Sequence, residues 1–241
     1  MPLRRFLAVS IYNPGAVAFD GSTYTTRGAD LTGNANGRQW LVSFWCRRTG
    51  GNGNFQEVFQ NQAGNCQVAW QTSNKIRFYC ENGAGTNLTV DANTAITDTN
   101  WHHFAFSADT NFSAGNKLKW LYVDGVSDVG TVSDAGAAFT ISFTDTDWVL
   151  GATAAHGSKL QANLADLYVN LAAYMDLSVA SNLAKFYQNG RPVSLGGNGS
   201  APTGSQPIWF MQAPASAWNT NRGSGGNFST GAGSLTDVAG P

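Results

Sequence analysis

The chain has 241 residues, with 14 basic and 15 acidic side chains and a formal net charge of -1. Charged residues make up 12%, about half the usual share of roughly 25%, while 42% are hydrophobic and 28 are glycine. This balance excludes a charge-driven disordered chain and a nucleic-acid binder built on a basic stripe, and no apolar run approaches the ~20 residues of a membrane-spanning helix.

Reading from the N-terminus, Arg4-Arg5 followed by Phe6-Leu7-Ala8-Val9-Ser10-Ile11 mimics a secretory signal. The apolar stretch is shorter than the usual run of about 7–15, and Asn13-Pro14-Gly15 breaks it off from Ala16-Val17-Ala18. Residues 1–15 are therefore read as an N-terminal arm, with no signal peptide expected.

Short strands with turn punctuation dominate the rest. They are expected over 16–20, 39–47, 55–61, 66–71, 75–81, 86–90, 101–108, 117–123, 147–151 and 159–170. Gly-Asn-rich loops such as Thr49-Gly50-Gly51-Asn52-Gly53-Asn54 separate them. Alternation in Leu41-Val42-Ser43-Phe44-Trp45 and Leu118-Lys119-Trp120-Leu121-Tyr122-Val123 gives each strand one core-facing set. Leu41, Phe44, Phe104, Leu121, Val123, Val149 and Leu167 are the expected core.

One helix is expected at about 177–189, capped by Asp176 or Ser178, with Leu177, Leu183, Phe186 and Tyr187 at helical spacing and Gly190 as its stop. Pro207-Ile208-Trp209-Phe210-Met211 reads as a closing strand, since side chains this apolar need a neighbouring strand to satisfy their backbone. Ten strands and one short helix predict an all-β fold, an antiparallel two-sheet jelly-roll sandwich over residues 16–211. Residues 212–241, rich in Gly, Asn and Ser, are expected to form a C-terminal arm. Its few apolar anchors, Trp218, Phe228 and Leu235, are the expected docking residues for a partner.

Three cysteines, Cys46, Cys66 and Cys80, match neither a zinc site nor a disulfide scaffold. A hairpin centred on Ser73 nonetheless sets Cys66 opposite Cys80, as a cross-strand pair or as two ordinary small apolar residues.

Five pieces in order resemble the concanavalin-A-like (laminin-G-like) jelly rolls. They are Ala16-Val17-Ala18-Phe19-Asp20-Gly21-Ser22, Leu41-Val42-Ser43-Phe44-Trp45, Trp101-His102-His103-Phe104-Ala105, Leu121-Tyr122-Val123-Asp124-Gly125-Val126 and Leu164-Ala165-Asp166-Leu167-Tyr168-Val169. The resemblance implies a sandwich that serves sugar binding, glycan hydrolysis, adhesion or virion structure, so the fold does not choose among them. Hydrolases of this group carry a Glu-x-Asp-x-Glu strand, because a glycosidase needs two nearby carboxyls. Only Glu57 and Glu81 are glutamates here, in separate expected strands, so no catalytic residue is assigned.

His102 and His103 alternate faces and do not form a metal clamp. His156 has no nucleophile motif beside it, and no P-loop or dinucleotide fingerprint is present. No cofactor is expected. Calcium is the one cation considered, with Asp145 and Asp147 as its ligand candidates, set against a plain solvated loop.

The stretch from Pro202-Thr203-Gly204-Ser205 through Asn221-Arg222-Gly223-Ser224-Gly225-Gly226-Asn227-Phe228 to Leu235-Thr236-Asp237 resembles the ends of lectin-fold virion proteins of tailed bacteriophages. The resulting expectation is a non-enzymatic virion structural protein: a capsid decoration, head fibre or tail-associated module. Its expected partners are other virion proteins or copies of itself, with a host-surface glycan as a further one. A stand-alone carbohydrate-binding lectin is the alternative, and a glycan-cleaving enzyme ranks behind both.

Overall fold

The computed structural model describes residues 12–134 and 136–241. The signal-like stretch Arg4–Ile11 lies outside the described residues. In chain order the strands of the first half are β1 (Ala16–Asp20), β2 (Tyr24–Thr26), β3 (Gln39–Arg48), β4 (Gln56–Asn61), β5 (Cys66–Trp70), β6 (Ile76–Glu81), β7 (Asn87–Ala92) and β8 (His102–Asp109). There follow β9 (Leu118–Val123), β10 (Val126–Ser127), β11 (Val129–Asp134), β12 (Trp148–Leu150) and β13 (Gln161–Asn170). The last part holds α1 (Ala180–Leu183), β14 (Tyr187–Gln188), β15 (Arg191–Pro192), β16 (Trp209–Met211), α2 (Ala215–Trp218), β17 (Ser229–Ala232) and β18 (Thr236–Val238).

Two eight-stranded antiparallel sheets form the sandwich. One runs β10-β9-β8-β3-β13-β1-β18, with β16 also paired to β13; the other runs β11-β7-β6-β5-β4-β12-β2-β17. Their inner faces meet over a fully buried aromatic core. Trp40 contacts Phe59, Phe78 and Phe106 edge-on, Phe44 stacks on Phe104, and Trp209 stacks on Phe228 at 4.6 Å. Such offset and T-shaped pairs are the arrangements that the ring quadrupole favours.

The first sheet is also covered on its outer face. Leu41, Ala105, Tyr168 and Phe210 project there and are buried beneath Met175, Leu177, Leu183, Phe186 and Leu195. This explains why β3 is buried from Trp40 to Cys46 without a break: both of its faces are inside. Leu41 is thus buried as expected, but in this outer layer. Val149 likewise packs outward, with Tyr24 and Ala152.

The covering segment corrects the expected helix. Only one helical turn forms, and Tyr187-Gln188 pairs with Arg191-Pro192 across Asn189-Gly190. Asn189 has φ 51 and Gly190 has φ 76, a turn with two positive φ angles that suits Asn-Gly. Gly190 therefore turns a hairpin; it does not stop a helix. The apolar spacing of Leu183, Phe186 and Tyr187 reflects burial against the sheet.

The expected C-terminal arm is corrected as well. The closing strand forms over Trp209–Met211 against β13, and the chain then continues into both sheets. β17 pairs with β2 in one sheet, and β18 pairs with β1 in the other. Trp218 is fully buried, Phe228 nearly so, and Leu235 packs on the core. The three residues expected to dock a partner are used by the sandwich itself. Among the described residues, no helix is long and apolar enough to cross a membrane.

Candidate functional site

Of the non-glycine residues with positive φ among the described residues, Asp166 is the one that lies inside a strand, β13. Ala165 faces Trp45 and Tyr168 faces Ser43 across the β3 ladder, so Asp166 and Leu167 together oppose Phe44 in a β-bulge. Bulges re-aim side chains. Here Leu167 enters the core, while Asp166, at φ 48, turns its carboxylate into a cavity on the outer side. A positive φ is uncommon for a residue other than glycine, and such positions concentrate at functional sites.

The cavity holds about 320 Å³ and is lined by Tyr12, Asp166, Ser194, Gln212 and Arg222, with the small residues Gly196 and Gly197 forming a wall. Tyr12 Oη donates to both Asp166 oxygens at 2.9 Å, and Gln212 Nε2 donates to Oδ1 at 2.8 Å. Asp166 is 4% exposed. Burial pushes its carboxyl up to about 6, against the opposing pull of Gln212, Tyr12 and the positive charge of Arg222. The Tyr12 hydroxyl is raised by the same desolvation and by the Asp166 charge, so it stays protonated as a donor. Arg222 feels Asp166 through space, yet its guanidinium makes no hydrogen bond or ion pair among the described residues. A buried acceptor and an uncommitted cation therefore face one polar cavity.

A second, more open depression lies at the loop rim. It holds about 410 Å³ between residues 35–39, 109–111 and 171–172. Its polar groups are already paired: Arg38 Nη1 donates to Asn111 Oδ1 at 2.7 Å, and Gln39 Nε2 donates to Asp109 Oδ2 at 3.1 Å. Less of its hydrogen-bonding capacity is left for a ligand.

A family model described as the concanavalin A-like lectin/glucanases superfamily matches residues 19–173. The chain belongs to this superfamily. Among solved structures, this superfamily member is similar to a heptameric SAP-like pentraxin from Limulus polyphemus. The TM-score is 0.56 at 12% identity, over 95% of this chain and 96% of the pentraxin. It is also similar to a Bacteroides ovatus protein described as a candidate carbohydrate binder, with TM-score 0.63 at 10% identity over 95% of this chain. The chain spans 60% of that protein's length. At these identities the likeness shows the fold. No curated protein matches the sequence.

Within this concanavalin A-like sandwich, the residues singled out from sequence have other roles. Asp145 Oδ2 accepts from Ala63 N at 2.6 Å and Oδ1 from Thr146 N at 2.7 Å. Asp147 Oδ1 accepts from the amides of Gly28 and Trp148, both at 2.7 Å. Their carboxylates are turned to backbone amides and to the Thr26 and Thr146 hydroxyls and staple two loops. No group of three or more His, Cys, Asp or Glu among the described residues is arranged for a metal ion.

Glu57 is fully buried and takes a bond from Gln67 Nε2 at 2.8 Å. Desolvation raises its carboxyl well above the usual range. Through Ala69 it lines up with Arg77, four positions from Glu81, which is about 13 Å along the strand. The two glutamates do not form a catalytic pair.

His102 bridges Asp124 at 2.6 Å and Asp98 at 3.0 Å, which raises it to about 9. His103 is buried with its Nε2 2.9 Å from Ser43 Oγ, and desolvation lowers it to about 3. His156 stacks on Tyr24. Cys66 stands opposite Cys80 in the ladder, and all three thiols are free and buried.

Proposed function

We propose that this chain is a non-enzymatic carbohydrate-binding module that holds a neutral sugar residue in the Asp166 cavity. The observation that carries the reading is the pairing of a bulge-aimed, buried carboxylate with the uncommitted Arg222 guanidinium in one cavity. Their opposite charges cancel, so a ligand ion gains little from the pair as a whole. A vicinal diol suits it better. One hydroxyl donates to Asp166, and its neighbour accepts from Arg222 or Gln212, while Ser194 can take either role. Polar groups of this kind give orientation and specificity in small-molecule sites. Asp166 is the one carboxyl among the described residues lining the cavity, and glycoside hydrolysis calls for two.

Titration of the full chain with a panel of neutral mono- and disaccharides, followed by NMR shifts and calorimetry, tests this. Two variants accompany the wild type. Asp166→Asn removes the charge, and Gly197→Trp plugs the cavity from a position where an added side chain meets only open space. The expected result is saturable binding by wild type that both variants lose while still melting cooperatively. Equal binding by all three chains would refute the site.

The setting we infer is a tailed-bacteriophage virion, with other virion proteins or copies of this chain as neighbours. This rests on the resemblance of residues 202–237 to the ends of lectin-fold virion proteins. Mass spectrometry of purified particles against soluble lysate tests it, and recovery of the chain only from the soluble fraction would overturn it.

A further inference from the structure

We infer that Cys66 and Cys80 are a disulfide-competent pair whose state is set by the redox conditions in which the chain folds. In the β5–β6 hairpin, Glu81 N donates to Asn65 O at 2.8 Å, and Gln71 N donates to Lys75 O at 2.9 Å. With Cys66 opposite Cys80 in register, these bonds make positions 66 and 80 a non-hydrogen-bonded pair. Consistently, Cys66 N donates not to Cys80 but to the Asn61 side chain, at 3.0 Å.

That distinction decides the geometry. Opposed Cα atoms in a non-hydrogen-bonded antiparallel pair lie about 4.5 Å apart, against about 5.5 Å in the other kind. Disulfides span Cα distances of about 4.4–6.8 Å, so the bridge needs no change of register. Directly opposed side chains share a face, and both thiols lie in the same inner core cluster. The turn between the strands is also fixed. Asn74, at φ 61, accepts from Arg48 Nη1 at 2.9 Å and from Gly53 N at 2.7 Å through its side chain.

Both thiols are inaccessible in the folded chain, and burial raises each above the ordinary thiol range. The thiolate is the species that attacks a disulfide. Exchange therefore happens while the hairpin is still open. A low-molecular-weight disulfide accepts the electrons: Cys66 thiolate attacks it and releases one small thiol, then Cys80 thiolate attacks the mixed disulfide and releases the second. Two protein thiols become one bridge, and one small disulfide becomes two thiols. Once the sandwich closes, the same burial shields the bridge from reducing thiols. A chain folded in a reducing cytosol keeps two thiols, and one folded in an oxidising compartment carries the bridge.

The test is to refold the denatured, fully reduced full-length chain in oxidised and reduced glutathione mixtures, quench by alkylation in denaturant, and map peptides. The expected product carries one 66–80 bridge with Cys46 alkylated. Urea unfolding of the bridged form should show an equilibrium constant lower than that of the reduced form by on the order of a hundredfold, as closure of a loop of this length predicts. Three outcomes would each overturn the inference: both thiols alkylated under every mixture, a bridge that includes Cys46, or a bridged form that unfolds more readily than the reduced one.

Discussion

Replacing Asp166 by Asn is expected to stabilise the chain at neutral pH. Burial raises this carboxyl from its ordinary 3.8 to about 6 on folding. Between those values the folded state holds a proton that the unfolded chain has already released, so stability falls as pH rises through the window. At 1.36 kcal/mol per pH unit, the loss is about 3 kcal/mol and is complete above pH ~6. Asparagine carries no charge to desolvate, tolerates positive φ, and keeps one oxygen for Tyr12 and Gln212. The variant should therefore gain about 1–3 kcal/mol at pH 7 and nothing near pH 4. Urea melts of both chains from pH 4 to 8 provide the assay, and the difference between the curves isolates this group from the other carboxyls. A variant less stable than wild type at pH 7, or a difference that does not change between pH 4 and 7, would show that the charge is not held at a cost.

His102 gives the opposite sign. Its folded value of about 9 exceeds 6.5, so its bridge to Asp124 and Asp98 stabilises fully below about pH 6.5 and is lost as pH rises through about 9. The melting difference between wild type and His102→Asn should thus be largest at pH 6 and vanish by about pH 10. Asp134, nearly buried, binds the buried Lys117 at 2.6 Å and Lys119 at 3.0 Å. Asp134→Ala should cost about 3–5 kcal/mol in chemical melts because it removes a nearly buried carboxylate that binds both lysines. Phe228→Ala should cost about 3–5 kcal/mol in urea melts through lost burial and the cavity left against Trp209, on which the ring stacks. Truncation after Met211 should give insoluble or molten protein, since it removes β17, β18 and the buried Trp218; a soluble, cooperatively melting fragment would show that the tail is dispensable to the sandwich.

The sandwich is legible in sequence wherever strands are half buried and alternate. Phe44, Phe104 and Leu121 lie in the inner core as the period-two pattern requires, and Leu167 reaches it through the β13 bulge. The Asp124-Gly125 hairpin follows from turn chemistry alone, and the structure gives both residues positive φ. The strands that escape such a reading are short or exposed. β17 and β18 are mostly solvent-facing, and their Gly, Ser and Thr residues read as loop, because their pairing comes from partners more than 200 positions away. The helical reading of 177–189 fails because residues buried against the outer face of a sheet can mimic helical spacing over ten positions. Asp166 shows in sequence only as one residue of a family-like strand. An acid among Leu164, Ala165, Leu167 and Tyr168 is the available signal. The bulge that turns it outward depends on register with β3, which sequence does not display.

The pairing of β1 with β18 has a mechanical consequence. Ala16, where β1 begins, lies opposite Val238, where β18 ends, and the strands run antiparallel. Tension applied through these two points pulls on one end of the ladder, so its hydrogen bonds carry the load one after another, like a zip opened from its tab. Shear geometry, in which all the bonds would resist together, is not available to this pair. Under stretching, the first sheet should shed its outermost strand at low force, before the aromatic core between the sheets is loaded.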